Sequence, residues 1–85
     1  MAEEVPLQVL WARKAREALR QGSEGGKELA RVVRTLDERL HRDPFTLGEV
    51  YRSKGAVEEH LAVHEFLAID FAIDKERRLV LVRDA

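Results

Sequence analysis

His60 and His64 are the side chains of this sequence best suited to move a proton near neutral pH, and Asp70 follows close behind them. On the polar face of a sheet, His60 would act as a general base, with Glu58 beside it and Asp70 opposite. Arg83, near the end of the last apolar run, would neutralise the phosphate under attack. The competing reading of the two histidines is a solvated sheet face. On a strand, residues spaced as His60 and His64 share a face but lie roughly 13 Å apart at about 3.3 Å per residue, too far for joint action on one phosphate. The same His-x-x-x-His spacing would clamp a metal on a helix, with Glu59 or Glu65 adding an oxygen, and strand geometry removes that option. Neither a metal site nor a cofactor is expected.

Cations form two further groups. Arg13, Arg16 and Arg20 recur at i, i+3 and i+7, a basic stripe along a helix that Arg31 and Arg34 would extend, suited to RNA phosphates or an acidic partner tail. With Glu17 and Glu38 interspersed, an ordinary solvated face fits the same residues. Tyr51, Arg52 and Lys54 set a stacking ring beside two cations, which suits single-stranded RNA, although a flexible loop would look alike. Trp11 reads as a core anchor.

The elements that must position these residues follow from periodicity. Leu29, Val32, Val33, Leu36 and Leu40 recur at helical spacing, which predicts an amphipathic helix over about 24–42. Ser23 would cap its start, and Asp43-Pro44 ends it because the residue before proline avoids helical dihedrals. Ala12 to Gln21 consists of good helix formers and is stopped by Gly22. Leu7 to Trp11 suits either a strand or an earlier helix start after Pro6. Phe45 to Gly55 has no sustained period and reads as a long connection. Three strand-like runs then follow as an antiparallel meander: Ala56–Val63, Phe66–Ile73 and Arg78–Arg83. Their apolar sets are Val57, Leu61 and Val63, then Leu67, Ile69, Phe71 and Ile73, then Leu79 and Leu81. Glu58, His60, Asp70 and Ala72 would line the polar face, so two helices must cover the other, a two-layer α+β fold. Asp74 to Arg77 is a good polar turn, whereas His64-Glu65 lacks the glycine or asparagine that tight hairpins prefer.

Composition bounds the rest. Eighty-five residues make one domain, and 45% hydrophobic with 36% charged residues excludes both a disordered chain and a membrane protein. Fifteen basic against 16 acidic residues give a formal charge of −1, so the chain lacks the field of a dedicated nucleic-acid binder and any RNA contact must be local. The absence of cysteine excludes disulfides, thiolate zinc and thiol nucleophiles. Residues Met1 to Pro6 are acidic and lack an apolar stretch, so a flexible N-terminus and a cytoplasmic location are expected. At roughly 0.05 to 0.15 kcal/mol per residue, a chain this short is only marginally stable, and a partner covering apolar surface would matter.

Three stretches carry a family resemblance: Leu7-Gln8-Val9-Leu10-Trp11-Ala12; Arg39-Leu40-His41-Arg42-Asp43-Pro44 with Leu47-Gly48-Glu49; and Leu67 through Asp74 leading into Arg78-Leu79-Val80-Leu81-Val82-Arg83. In this order the chain resembles the RelE/ParE superfamily, the toxin components of type II toxin–antitoxin modules, and in particular a divergent planctomycete-type group. The resemblance implies that Leu7–Trp11 is a strand, and that β-α-α-β-β-β packs two helices on one face of a mostly antiparallel four-stranded sheet. It implies an antitoxin partner, and for some members the ribosome and mRNA, or a homodimer. Ribosome-dependent mRNA cleavage is the implied activity; the alternative is a noncatalytic interaction module of the same fold, such as a gyrase-type inhibitor or a non-toxic dimerising member. Endonucleases of the family commonly place an arginine after an aromatic where this chain has Phe66-Leu67-Ala68, and a catalytic Tyr or His beyond the position of Ala85.

Overall fold

The computed structural model describes residues 6–21 and 26–85. The elements are β1 (Gln8–Trp11), α1 (Arg13–Gln21), α2 (Gly26–Arg42), β2 (Glu49–Lys54), β3 (Val57–His64), β4 (Leu67–Asp74) and β5 (Leu79–Asp84). Among the described residues they form a five-stranded sheet in the order β1-β5-β4-β3-β2, with the two helices on one face. Only the β1–β5 pair is parallel; the two helices carry the chain from β1 at one edge of the sheet to β2 at the other, and the meander then brings β5 back beside β1. None of the described helices is long and apolar enough to cross a membrane.

The α2 stripe behaves as its periodicity predicts. Val32, Leu36 and Leu40 are buried against Ile69, Phe71, Ile73, Val80 and Val82, and Val33 is partly buried at the margin. Asp43 donates its amide to the Arg39 carbonyl before buried Pro44 halts the helix. The proposed Ser23 cap and the Gly22 stop lie outside the described residues. Trp11 is half-buried, and its indole nitrogen donates to Asp37 Oδ1 at 2.9 Å, tying β1 to α2.

Three expectations are corrected. First, the connection Phe45–Gly55 contains a strand, so the sheet has five strands rather than four. All six residues of β2 are exposed, and its ladder to β3 holds it in place; a strand without a buried face carries no apolar alternation to read. Second, β3 faces the other way: Val57, Leu61 and Val63 point to solvent, while His60 and Ala62 are buried. Third, Val80 and Val82 of β5, rather than Leu79 and Leu81, enter the core.

The cause of both inversions is β4. Its Leu67, Ile69, Phe71 and Ile73 are all buried, and the register pairs Ala62 with Ile69, His60 with Phe71, Val82 with Phe71 and Val80 with Ile73. Residues opposite one another share a face, so the strongest apolar strand dictates which residues its neighbours turn inward. The β3–β4 register follows from a two-residue turn at Glu65-Phe66, where Glu65 takes a left-handed φ of 57°.

Candidate functional site

The sheet face away from the helices is open, and two irregularities shape it. The β2–β3 register skips at Tyr51, between the pairs Val50–His60 and Arg52–Glu59. The β4–β5 register skips at Arg83, between Phe71–Val82 and Asp70–Asp84. In a regular strand consecutive side chains alternate faces, so Tyr51 after Val50 and Arg83 after Val82 fall on the open face, and each skip sets the next residue, Arg52 or Asp84, opposite an open-face partner as well. Tyr51 and Arg83 both turn to the open face, and they meet at Asp70.

The Tyr51 hydroxyl donates to Asp70 Oδ1 at 2.8 Å, and Arg83 Nη2 donates to the same oxygen at 2.8 Å and to the Tyr51 hydroxyl oxygen at 2.6 Å. Arg83 Nη1 donates to Glu59 Oε1 at 2.5 Å, and Arg52 Nε lies 3.4 Å from Glu59 Oε2. Bonding to Asp70 and then to Glu59 raises the Arg83 pKa above the ordinary guanidinium range. Loss of solvent around the hydroxyl, followed by its bond to Asp70, holds the Tyr51 phenol above its ordinary range although the ring is half exposed. Two guanidinium and two carboxylate groups leave the cluster formally neutral. A carboxylate, a guanidinium and a phenol within one hydrogen-bonded group can together accept a proton, stabilise anionic oxygen and return a proton.

The structure brings Asp70, Arg83, Tyr51 and Arg52 together, and it separates His60 and His64 from them. The expected exposed position of His60 is corrected: the ring is wholly buried on the helix side, stacked on Phe71 with centroids 4.8 Å apart. Its Nδ1 lies 3.1 Å from the Leu47 carbonyl oxygen and its Nε2 lies 3.1 Å from Glu58 Oε1. Asp70 is in register with Leu61, so it points to the face opposite His60. His64 lines a small cleft with Thr35, Arg39, Arg42 and Leu47, also on the helix side. Lys54 sits at the end of β2, paired with Val57, outside the cluster. Glu59 entered the sequence reading only as a candidate oxygen ligand beside the histidines, not as a member of this cluster. Its signal was the hairpin itself: a turn at Glu65-Phe66 puts Glu59 opposite Ala72 and on the face of Asp70.

The arginine stripe divides. Arg13 is drawn to Glu17 at 3.0 Å, and Arg31 bonds Glu28 and Glu65. Arg16, Arg20 and Arg34 instead rim a groove between α1 and α2 of about 520 Å³, whose floor includes Leu19, Leu29, Ala30 and Val33.

Neither protein-family models nor curated proteins yield a match to this chain. Among solved structures, the chain is similar to a chain of the toxin–antitoxin complex RelBE2 from Mycobacterium tuberculosis, with a TM-score of 0.72 and 25% sequence identity over 94% of this chain and 95% of that one. The likeness bears out the RelE/ParE-type resemblance and its α+β fold.

Proposed function

We propose that this chain of RelE/ParE-type toxin fold is the toxin component of a toxin–antitoxin pair, and that it cleaves RNA on the open sheet face by metal-free attack of a ribose 2′-hydroxyl. The observation that carries the reading is the convergence of two bulged residues, Tyr51 and Arg83, on Asp70 beside Glu59. Glu59 takes the proton of the 2′-hydroxyl, whose oxygen attacks the adjacent phosphorus. Arg83 neutralises the phosphorane, and Tyr51 returns a proton to the departing 5′-oxygen, leaving a 2′,3′-cyclic phosphate and a 5′-hydroxyl. Asp70 is a positioning residue, since it holds both Tyr51 and Arg83. A phosphate arriving at Arg83 competes with Glu59 for the guanidinium, so substrate binding itself frees the base.

The antitoxin is assigned to the helical layer. The α1–α2 groove joins an apolar floor to a rim of Arg16, Arg20 and Arg34, which fits an amphipathic helix with acidic flanks. These arginines and Arg13 project from the helices, so one RNA strand on the open face would not run along them. Their expected RNA contact gives way to a protein contact in this reading.

Cleavage of ribosome-bound message by the purified chain is the test. Glu59→Gln and Arg83→Gln should each lower the rate by about 10² or more, the usual worth of a proton-transfer group or an oxyanion donor. Retained cleavage in both folded variants would overturn the mechanism. The charge balance of the cluster favours a second reading, a noncatalytic interaction module, and a folded wild-type chain that binds its partner but cuts nothing would establish it.

A further inference from the structure

Beside the Asp70 cluster, at the free edge of the sheet, Gly48, Glu49, Val50, Tyr51, Leu61 and Val63 line a recess of about 360 Å³. Leu61 and Val63 are 51% and 70% exposed, an aliphatic surface that the core does not use. The Tyr51 ring stands beside them, and its orientation is held because Asp70 and Arg83 bind its hydroxyl. Gly48 lets the chain close the end of the recess, since a Cβ there would lie 2.3 Å from the Leu61 carbonyl oxygen. Glu49 is in register with Leu61, and its carboxylate has no ion pair or hydrogen bond among the described residues.

We propose that this recess reads a guanine base of the RNA strand, with Glu49 as the specificity-determining residue. The inference rests on the open face being the RNA site. A carboxylate offers two acceptor oxygens and no donor. Guanine alone among the four bases presents two adjacent donors, N1–H and the N2 amino group, so it alone makes two charge-assisted bonds to Glu49. Adenine and cytosine each set a ring-nitrogen acceptor beside one amino donor, and uracil flanks its single N–H with carbonyl oxygens; each turns a lone pair toward the carboxylate. The Tyr51 ring supplies a stacking surface that any base can use, which accounts for binding but not for choice. Because the Tyr51 hydroxyl touches Arg83, a base against the ring leaves its own phosphate near the guanidinium.

The test is a titration of the isotope-labelled whole chain with 5′-GMP, AMP, CMP and UMP, followed by amide chemical shifts. GMP should shift residues 48–51 and 61–63 and bind roughly tenfold or more tighter than AMP, the worth of one additional charged hydrogen bond. Glu49→Gln should abolish the preference for GMP over AMP, because a carboxamide offers one acceptor and one donor and pairs as well with the acceptor–donor edge of adenine or cytosine as with guanine. Tyr51→Ala should weaken all four nucleotides alike. Equal binding of the four, shifts confined to other residues, absence of any shift, or a GMP preference that survives Glu49→Gln would each overturn the proposal. The readout is independent of cleavage. A chain that prefers GMP but cuts no message keeps the subsite and loses the nuclease; one that cuts while binding the four nucleotides equally keeps the nuclease and loses the subsite.

Discussion

His60 shows how far a side chain's chemistry can be from its role. Its imidazole is of the type best suited to move a proton, yet it fills a core position against Phe71 and joins the Leu47 carbonyl to Glu58. His60→Ala therefore removes packing and takes this partner from the Leu47 carbonyl, while Glu58 keeps Lys75, and it should cost about 2 to 4 kcal/mol in denaturant melts. A loss under about 1 kcal/mol would place the ring outside the core. Tyr51 offers a cleaner measurement because it is the one tyrosine of the sequence. Its ultraviolet titration should fall above the ordinary value of 10.0, and Asp70→Asn should bring it down, since the carboxylate's hydrogen bond and charge both oppose ionisation. An unchanged titration in Asp70→Asn would break the link between the two residues.

At the scale of elements, β2 is the part of the fold most dependent on its neighbours. With no buried residue of its own, it rests on the β3 ladder and on the approach through Gly48. Gly48 has a φ of +69°, and a Cβ would also lie 2.7 Å from Ala62 Cα. Gly48→Ala should destabilise by about 1 to 3 kcal/mol through left-handed strain, with the clash adding to that. Hydrogen exchange should then quicken at residues 49–54 first, while α2 and β4 stay protected to the level of global unfolding. Equal acceleration everywhere would show that β2 does not open separately. Loss of β2 would also remove Tyr51 and Glu49 from the open face, so the strand least evident in the sequence carries two residues of the proposed site.

For the whole molecule, acid should be the sensitive variable. Lys75 and then His60 hold the Glu58 carboxyl below its ordinary range, Arg31 does so for Glu65, and Lys14 with the Ala85 amide does so for Asp84. Folded-state values below the unfolded ones mean that the unfolded chain binds more protons in acid. This stabilisation is complete above the unfolded carboxylate range, about 4, and disappears as pH falls through the lower folded values. Glu58, whose side chain is 22% exposed, should contribute more than the well-solvated Glu65 and Asp84, which salt screens. Melting temperature measured from pH 6 down to about 2 should fall below about 4, and less steeply in Glu58→Gln. A flat profile would remove these pairs from the stability of the fold.

What the sequence determined by itself was whatever a single element can encode. The α2 stripe of Val32, Leu36 and Leu40 and the β4 alternation of Leu67, Ile69, Phe71 and Ile73 are local periodicities, and both are buried as their spacing requires. Asp74 likewise forms its polar turn locally, accepting the Glu76 and Arg77 amides at 3.1 Å each. Tertiary structure decided the faces of β3 and β5: β5 carries apolar residues at both parities, β3 carries most of its own on the face it exposes, and only pairing with β4 sets which face turns inward. It also decided the candidate site. Tyr51, Glu59, Asp70 and Arg83 come from four strands, and only the pairing between strands, with its register skips at Tyr51 and Arg83, sets them side by side; a register has no existence in either strand alone.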